Sequence, residues 1–577
     1  MRKLETFTDL VSMFFARADA GGDAPFLWAK RDGQWQATSW REAAAQVCAL
    51  ATALRASGLQ PGDRVMLVSE NRPEWCIADL AIMAAGCVTV PTYTTNTERD
   101  HLHVIENSGA RAVFVSNAKL ARTLLPAVMR SSACRLVIGF EPLRVGQSGN
   151  VTFAEMDALI AAHPAERPAL SLTRRDLACI IYTSGTGGAP RGVCQHHGAI
   201  LCNVEGCVEI IAEDFGWEDE VFLSFLPLSH AYEHSGGQFL PIALGAQIFY
   251  AEGLEKLASN IEETRPTIIV VVPRLFEVLR ARILKGIEKQ GRFARFLLDQ
   301  ALAIGSAPRL GQRPMDMLLD VAFRPRIRKR FGGRIKAMVS GGAPLNPEVG
   351  SFFEALGLRL LQGYGQTEAG PVVSCNRPAA GIAMATVGPP LKGVEVRIAD
   401  DGEIMVRGEL VMHGYWRNPE ESARVLRDGW LLTGDIGHLD ERGRLIITDR
   451  KKDLIVNDKG DNVAPQRVEG MLTLEPEILQ AMVIGDRRPH LVALIVPDPD
   501  WVREQGGLEG EALRHAIAAA VDRVNANLSV IEKVRRFALA DAPFTIENEQ
   551  LTPSMKIRRH AIRKVYGDRL EALYGRG

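Results

Sequence analysis

Short apolar runs alternate with helix-periodic segments over about the first 400 residues of the chain. Between the runs, apolar residues recur at three- and four-residue spacing, as at Val47, Leu50, Ala51 and Leu54. Strands that alternate with helices predict an α/β fold, a mostly parallel sheet covered by helices, with ligands at the carboxyl ends of the strands. The predicted strands span residues 65–68, 112–115, 179–182, 268–272, 335–339 and 358–361.

The first long helical segment has predictable ends. Ser39 and Glu42 have the spacing of a capping box, in which each side chain accepts a hydrogen bond from the other residue's backbone N–H. Gly58 is a typical stop signal, because glycine adopts the left-handed backbone conformation that closes many helices. We therefore expect a helix between these two signals.

The pattern changes near residue 394, where shorter alternating runs begin. Residues 394–398 and 402–406 predict antiparallel strands joined by tight turns. We interpret this region as a small β-barrel-like subdomain. It completes a large N-terminal domain, predicted to span residues 1–451.

A charged connector, residues 449–453, precedes the last 125 or so residues. These contain a hairpin-like segment, 480–496, and helical patterns near 511–527 and 558–573. A unit of that size is a standard small domain. We therefore predict a small α+β C-terminal domain, residues 452–577, on a hinge.

Composition excludes several classes of function. The 577 residues carry 68 Lys and Arg against 69 Asp and Glu, which argues against a protein that coats nucleic acid. Nine cysteines are too few and too scattered for a disulfide scaffold. The N-terminal segment lacks a secretory pattern, and no apolar run approaches the roughly 18 residues of a spanning helix. We expect a cytoplasmic protein without nucleic-acid partners.

The densest chemical signal is the segment 182–192, which follows a predicted strand and precedes a helical pattern. Its glycines and hydroxyl residues would let N–H and O–H groups surround a polyanion, and Arg191 adds a positive charge. It is not a Walker A loop, because Val193 and Cys194 stand where that motif needs Lys and Ser or Thr. We predict that it binds phosphate.

This segment resembles the phosphate loop of the acyl-adenylating superfamily, which includes the acyl-CoA synthetases. Two positions depart from the family pattern, since Gly187 replaces a second threonine and Arg191 replaces the common lysine. Arginine keeps the charge but presents a planar fork instead of a point charge. Both residues are compatible with holding pyrophosphate. The implied ATP contacts are Thr183, Ser184, Gly185, Thr186, Gly187, Gly188 and Arg191.

A second group of motifs resembles the adenine and metal contacts of the same superfamily. The resemblance implies that Tyr364 stacks on adenine, that Thr367 contacts the α-phosphate and that Glu368 binds Mg²⁺. Oxygen ligands suit such a hard cation, and Ser184 is the implied second metal ligand. The motifs occupy residues 340–344 and 362–368, and their other implied nucleotide contacts are Gly342, Ala343, Gly363 and Gly365.

Three later motifs complete the resemblance over nearly the whole chain. The first implies that Asp435 accepts hydrogen bonds from both ribose hydroxyls, a geometry that suits a carboxylate. The second implies that Arg450 lies near the ribose and that Lys452 is the pivot of the hinge. The third implies that Lys556 is the adenylation lysine. These motifs occupy residues 432–435, 449–453 and 551–559.

The resemblance implies a two-step ligase reaction. A carboxylate attacks the α-phosphate of ATP, which is held with Mg²⁺, to give acyl-AMP and pyrophosphate. The small domain then rotates about Lys452, and the thiol of coenzyme A displaces AMP. His230 is assigned to the edge of the acid and ATP pocket, and His234 is interpreted as a packed or capping residue. Segments that look like the long-chain fatty acyl branch are 71–75, 226–234, 272–277 and the long helical stretch 277–330.

Other functions stay open at this point. The acid could be medium-chain or aryl, and the acceptor could be an acyl carrier protein in place of coenzyme A. A catalytically silent protein that binds acyl groups or nucleotides is a remote alternative. The intact Glu368, Asp435, Arg450 and Lys556 argue against it. The oligomeric state is not predicted.

Two further clusters are a group of cysteines and histidines and a patch of basic residues. Cys194, His196, His197, Cys202 and Cys207 lack the spacing of a zinc site, and we place them on the helix after the phosphate loop. A dense basic patch is by default a solvated surface, although the phosphates of coenzyme A or an anionic membrane are alternatives. A peripheral position on the inner face of the membrane is therefore one hypothesis. The patch comprises Arg324, Arg326, Arg328, Lys329, Arg330, Arg334 and Lys336.

Overall fold

The computed structural model of the protein describes residues 5–143, 149–169, 171–183, 190–305, 314–459, 461–552 and 557–575. Two large sheets with helices around them occupy the N-terminal part of the chain. A five-stranded antiparallel sheet follows, and the last part of the chain forms a smaller α+β unit. This architecture confirms the predicted fold class.

The first large sheet has seven strands, and its middle contains three of the predicted apolar runs. All neighbouring strands pair in parallel except the last two, which form an antiparallel hairpin. The strand Ala112–Val115 is buried at every position, as expected for a strand covered on both faces. In spatial order the strands are Thr152–Glu155, Leu136–Gly139, Ala112–Val115, Arg64–Val68, Val88–Thr92, Leu177–Thr183 and Arg191–His196.

The second large sheet has eight strands and is parallel except for the outermost pair at each edge. A common core fills the space where the two sheets and the helices Trp40–Ala56, Pro73–Ala84 and His197–Asp214 meet. In spatial order the strands are Val372–Cys375, Leu360–Gly365, Ala337–Ser340, Ile268–Val271, Val221–Ser224, Gln247–Tyr250, Pro25–Arg31 and Gln34–Ser39.

The helix that was predicted from its capping box begins as expected. Glu42 accepts a hydrogen bond from the Ser39 backbone N–H, and the Ser39 side chain accepts one from the Glu42 N–H. In the part of the chain that the structure describes, no helix has the length and apolar character needed to span a bilayer. The other N-terminal helices are Leu10–Gly21, Glu98–Ser108, Ala118–Arg130, Met156–Ala162, Leu240–Leu244, Leu257–Thr264, Pro347–Ala355 and Pro419–Val425.

Among the described residues, the predicted helical stretch 277–330 consists of four separate helices. Gly291 has a φ of 91°, which ends one helix before the next begins. Pro325 lies in the first turn of the last helix, where proline leaves no helical hydrogen bond unmade. The helices are Pro273–Glu288, Arg292–Gly305, Pro314–Ala322 and Arg324–Arg330.

The antiparallel sheet lies where the small β-subdomain was predicted. Its longest strand, Trp430–Leu439, pairs with three neighbours, Glu403–Arg407, Leu426–Arg427 and Leu445–Arg450. The strand Glu395–Ile398 completes it at one edge. Tight pairing places the last residues of Leu445–Arg450 directly opposite Asp435 and Ile436.

The C-terminal unit has a three-stranded sheet with a core on each face. In the strand Leu491–Pro497, Leu491, Ala493 and Ile495 pack on one side, whereas Val492, Leu494 and Val496 pack on the other, as the two-residue period of a strand requires. The strands are Ile478–Ile484, Leu491–Pro497 and Val534–Leu539, with a short pair at Ile455–Val456 and Asn462–Val463. The helices are Pro465–Leu472, Pro499–Glu504, Gly510–Ala526 and Arg559–Glu571.

Candidate active site

The phosphate-loop segment connects two antiparallel strands of the seven-stranded sheet. Thr183, the last residue of Leu177–Thr183, is paired in register with Arg191, the first residue of Arg191–His196. Both residues therefore stand at the mouth of the loop. The other predicted contacts in this segment, Ser184, Gly185, Thr186, Gly187 and Gly188, lie outside the described residues.

The expectation of a helix directly after this loop is wrong. The strand Arg191–His196 intervenes, and the helix His197–Asp214 begins only where it ends, with His196 as its N-cap. The strand is favoured because it is paired on both sides. It forms the hairpin with Leu177–Thr183, and its Cys194 exchanges backbone hydrogen bonds with residues 413 and 414. The N-terminus of the helix His197–Asp214 therefore lies at the far end of the strand that leads away from the loop.

Arg191 is held by two neighbours that the sequence analysis did not identify. Its guanidinium donates a hydrogen bond to Glu421 and lies 4.6 Å from the centre of the Tyr415 ring. The Tyr415 hydroxyl in turn donates to Glu368 Oε1 at 2.8 Å. Burial and the neighbouring Glu368 carboxylate raise the pKa of Tyr415, so the hydroxyl keeps its proton and remains a donor.

The strand Leu360–Gly365 delivers Thr367 and Glu368 to the same region. Gly365 permits the sharp turn that follows, because a Cβ there would lie 1.9 Å from the Pro371 carbonyl oxygen. The Gln195 side chain donates to the Thr367 carbonyl at 2.7 Å, and the Met412 N–H donates to the Glu368 carbonyl at 2.9 Å. The backbone of both candidate residues is thus fixed from two other segments.

Tyr364, Asp435 and Arg450 form a hydrogen-bonded triad. The Tyr364 hydroxyl donates to Asp435 Oδ2 at 2.6 Å, and Arg450 Nε donates to Asp435 Oδ1 at 3.2 Å. Burial, followed by the charge of Asp435, raises the pKa of Tyr364 well above its usual value. Asp435 is itself almost fully buried, and each of its oxygens has a further lone pair for a ligand hydroxyl. The predicted adenine and ribose contacts are therefore in direct contact with one another.

The predicted adenine loop follows the strand Ala337–Ser340 of the same sheet. Gly342 has a φ of 80°, in the left-handed region that favours glycine, and Ala343 beside it is exposed. A Cβ at Gly341 would lie 2.7 Å from the Tyr232 ring, so this loop packs closely on Tyr232. Gly363, in the neighbouring strand, is paired with Cys375.

The two histidines near this loop have different surroundings. His230 is half-buried, and its ring accepts a hydrogen bond from the Tyr232 N–H at 3.3 Å, so it caps the short helix Ala231–Glu233. His234 is fully buried and forms a 2.8 Å hydrogen bond with Asp79. The interpretation of His234 as a packed residue is confirmed.

The predicted hinge is a turn between the antiparallel sheet and the C-terminal unit. Lys452 is exposed in this turn, and the Asp453 and Leu454 N–H groups both donate to the Arg450 carbonyl. Beyond the turn, Arg559 makes two 2.6 Å bonds to Glu469, one to each carboxylate oxygen. Lys556, the predicted adenylation lysine, lies outside the described residues.

Of the two predicted metal ligands, Glu368 lies among the described residues and Ser184 lies outside them. Glu368 uses Oε1 for Tyr415, and within the described residues Oε2 has no hydrogen-bond partner, so this oxygen is chemically suited to a divalent cation. No group of three or more His, Cys, Asp or Glu side chains among the described residues is placed to hold a metal. His196, from the cysteine and histidine cluster, stacks on His413 instead.

Comparison with known families gives two matches along the chain. The profile of the AMP-binding enzyme family matches residues 14–416, and that of an AMP-binding enzyme C-terminal domain matches residues 452–577. A long-chain-fatty-acid–CoA ligase of Mycobacterium bovis is 33% identical over 573 residues, which cover 94% of this chain and 93% of that protein. Long chain acyl-CoA synthetase 1 of Arabidopsis thaliana is 29% identical, with 99% and 91% covered.

Solved structures show the same fold at lower sequence identity. The adenylation domain of a carboxylate reductase from Mycobacterium chelonae superposes with a TM-score of 0.79 at 23% identity, covering 99% of this chain and 92% of that chain. An anthranilate CoA ligase in complex with anthranoyl-AMP superposes with a TM-score of 0.72 at 20% identity, covering 97% and 98%.

Proposed function

The chain belongs to the AMP-binding enzyme family, and on that premise we propose that it is an AMP-forming long-chain fatty acid–CoA ligase. The observation that carries the proposal is the triad of Tyr364, Asp435 and Arg450, which provides an aromatic ring beside a buried carboxylate. A nucleoside fits this combination, since its base stacks on a ring and its ribose hydroxyls donate to the carboxylate. Relatives named for long-chain acids cover nearly the whole chain, which supports the choice of substrate class.

The first half-reaction is the transfer of the adenylyl group of ATP to the carboxylate of the acid. A carboxylate oxygen of the acid bonds to the α-phosphorus of ATP, the bond to the β-phosphate oxygen breaks, and pyrophosphate leaves. We assign Thr367 and Lys556 to the stabilisation of the developing charge, and Thr183 and Arg191 to the departing phosphates. Mg²⁺, when bound, neutralises phosphate oxygens, and Glu368 and Ser184 are the residues that would hold it.

The second half-reaction forms the thioester. The sulfur of coenzyme A bonds to the acyl carbonyl carbon, the bond to the phosphate oxygen breaks, and AMP leaves with that oxygen. We assign residues 1–451 to the adenylate-forming domain and 452–577 to a mobile domain that turns about Lys452 between the two steps. His230, at the end of a loop close to the Gly341 segment, is assigned to the edge of the acid pocket.

The adenylation lysine provides the sharpest test of this assignment. Lys556→Ala is expected to abolish acid-dependent exchange of pyrophosphate into ATP. The rate of thioester formation from supplied acyl-AMP and coenzyme A should stay within about threefold of that of the unchanged protein, because only the first step needs the cation on the phosphates. Arg558→Ala, two residues away, is the matched control. Exchange retained in the Lys556 variant would contradict the role assigned to this lysine.

A panel of acids tests the substrate class. The unchanged protein is assayed for AMP release with saturated acids of increasing length and with benzoate, using either free coenzyme A or an acyl carrier protein as acceptor. We expect the highest kcat/KM with long-chain acids and free coenzyme A. A preference for benzoate or for short chains, or a thioester formed only on the carrier protein, would replace the long-chain ligase with one of the alternative activities.

We further propose a peripheral contact with an anionic membrane surface, from which a long-chain acid would be drawn. Residues 273–336 contain 16 Lys and Arg against five Asp and Glu, although the whole chain is nearly neutral. Large apolar side chains protrude within this basic segment, among them Phe293 at 72% and Val321 at 80% exposure. Cations attract anionic lipid headgroups, and apolar side chains insert beneath them.

Vesicle co-sedimentation tests the membrane proposal. Binding is expected with vesicles rich in phosphatidylglycerol and is expected to fall with added salt or with charge reversal at Arg326, Arg328 and Arg330. Val530→Ser, which removes an equally exposed apolar side chain outside this segment, is the control. Binding that is insensitive to both salt and charge reversal would reject this surface.

A further inference from the structure

A chain of side-chain contacts connects the strand after the phosphate loop to the carboxylate assigned to Mg²⁺. Glu421 pairs with Arg191, the Arg191 guanidinium lies over the Tyr415 ring, and the Tyr415 hydroxyl donates to Glu368. We call these four residues the Arg191 network. Two of its members, Arg191 and Glu368, are the groups that would meet the phosphates of ATP, Arg191 directly and Glu368 through the metal.

The other two members of the network, Tyr415 and Glu421, are positioned by backbone contacts. Tyr415 forms an isolated antiparallel bridge with Val193, in the strand that follows the loop, and the Tyr415 N–H donates to the Ser422 hydroxyl at 2.8 Å. Glu421 lies in the first turn of the helix Pro419–Val425, which begins at the cap residue Asn418. A carboxylate is favoured in a first turn because unpaired helix N–H groups point toward it. Tyr415 and Glu421 are therefore each attached to an element of secondary structure.

The network explains why an arginine can serve at position 191. A guanidinium has five N–H donors in a plane, so it can donate to a carboxylate along one edge, stack on a ring with its face and keep donors for a phosphate. A lysine ammonium is a point charge and cannot make all three contacts with one fixed geometry. Glu421 binds the donor edge of the guanidinium and Tyr415 contacts its planar face, and a lysine ammonium has neither feature.

We propose that Glu421 and Tyr415 are positioning residues that set Arg191 and Glu368 relative to each other before MgATP binds. Glu421 orients the cation that receives the leaving phosphates. Tyr415 orients the carboxylate so that Oε1 is occupied and Oε2 is left for the metal. This inference rests on the proposed adenylation reaction and adds two residues that act through Arg191 and Glu368.

A double-mutant cycle in the adenylation half-reaction tests the Glu421 part. Glu421→Gln is expected to raise the KM for ATP about tenfold in acid-dependent exchange, with kcat changed less than about twofold, because the amide no longer anchors the guanidinium. In an Arg191→Lys background the same substitution is expected to raise KM less than about threefold, since the anchored fork is already absent. Glu421→Asp, which keeps the charge, should recover part of the loss.

The Tyr415 part has its own readout. Tyr415→Phe keeps the ring under Arg191 but removes the hydrogen bond to Glu368, so the Mg²⁺ concentration for half-maximal exchange should rise severalfold. Glu421→Gln should leave that Mg²⁺ concentration unchanged. If either residue only stabilised the fold, its substitution would not change the dependence of exchange on ATP separately from the dependence on Mg²⁺.

Glu420→Gln is the matched control, because it removes the same charge from the neighbouring, exposed residue of the helix. The proposal is overturned if Glu421→Gln leaves the KM for ATP within about twofold, if Glu420→Gln raises KM equally, or if Tyr415→Phe leaves the Mg²⁺ dependence unchanged. Absence of exchange in the unchanged protein is a different result, since it rejects the proposed adenylation itself. If the unchanged protein catalyses exchange and the variants have the same KM and Mg²⁺ dependence as the unchanged protein, only the positioning roles are rejected.

Discussion

Two aspartates on neighbouring strands of the antiparallel sheet have opposite surroundings. Asp435, on the side proposed to bind the nucleotide, accepts one hydrogen bond at each oxygen, from Tyr364 and from Arg450. Asp449, on the hinge side, accepts a 2.6 Å bond from the Arg450 N–H at Oδ1, whereas Oδ2 is buried without a hydrogen-bond partner among the described residues. Burial raises the pKa of Asp449 to about 6.

The difference follows from where the nearby cations are directed. The Arg450 side chain points to Asp435, and the Arg559 guanidinium is bound at both ends by Glu469. Neither arginine forms an ion pair with Asp449, although Arg559 lies close enough to lower its pKa in part. The sheet thus holds a carboxylate with charged and hydroxyl partners on one side and a carboxyl that gains a proton easily on the other. Residue type alone does not decide which role an aspartate takes.

The largest expected effect comes from removing the charge of Asp435. Asp435→Asn should raise the KM for ATP in acid-dependent exchange about 100-fold, because two ribose hydroxyls lose a charged acceptor and such bonds are worth about 1.5–3 kcal/mol each. Asp440→Asn, in the turn that follows the same strand, is the matched control and should leave KM unchanged. A KM within about threefold of the unchanged protein would mean that Asp435 is structural.

Much of the nucleotide side could be predicted from the sequence. Tyr364 and Glu368 stand in one short motif and Asp435 stands in another, so each was identified from its neighbours along the chain without knowledge of the tertiary fold. The alternation of apolar runs with helical segments also predicted the sheet class. The detailed contacts of Tyr364 with Asp435 follow from sheet packing, which a motif does not specify.

The remaining features depend on contacts between distant segments. Tyr415 and Glu421 reach Arg191 only because residues 413–416 pair with the strand Arg191–His196, more than 200 positions away. The available signal was the Asn418-Pro419 helix start, which predicts a helix but no partner. The segment with Cys194 and His196 was predicted to be part of the helix after the loop, and a short apolar run does not distinguish a strand from a helix. The state of Asp449 similarly depends on Arg559, in the last helix.

The second prediction concerns pH and stability at the hinge. Because the folded-state pKa of Asp449 is raised to about 6, the folded protein holds a proton that the unfolded chain releases near pH 4, and stability falls as the pH rises through pH 4–6. Asp449→Asn stays neutral, so it should stabilise the protein above pH 6 by about 1–3 kcal/mol, with a smaller gain toward pH 4.

Urea unfolding at pH 4.5 and 7.5 measures this effect. Asp453→Asn, in the same turn, is the control and should show no comparable gain at the higher pH. An Asp449 variant whose unfolding midpoint shifts equally at both pH values would show that folding does not change the pKa of this carboxyl, and a midpoint that falls at pH 7.5 would show that the carboxyl is stabilised in its charged form. Either result would contradict the state assigned to Asp449.

The smallest expected effect comes from removing one partner of Asp435 while its charge remains. Tyr364→Phe keeps the aromatic ring but loses the 2.6 Å hydrogen bond to Oδ2, so the KM for ATP should rise about three- to tenfold. Tyr566→Phe, which alters a hydroxyl in the C-terminal unit, is the matched control. If the hydroxyl acts only through Asp435, adding Tyr364→Phe to Asp435→Asn should raise the KM for ATP little further, because the effects of substitutions within one hydrogen-bond network are not additive. Full additivity would mean that the hydroxyl contacts the nucleotide by itself, and that Asp435 is positioned by Arg450 alone.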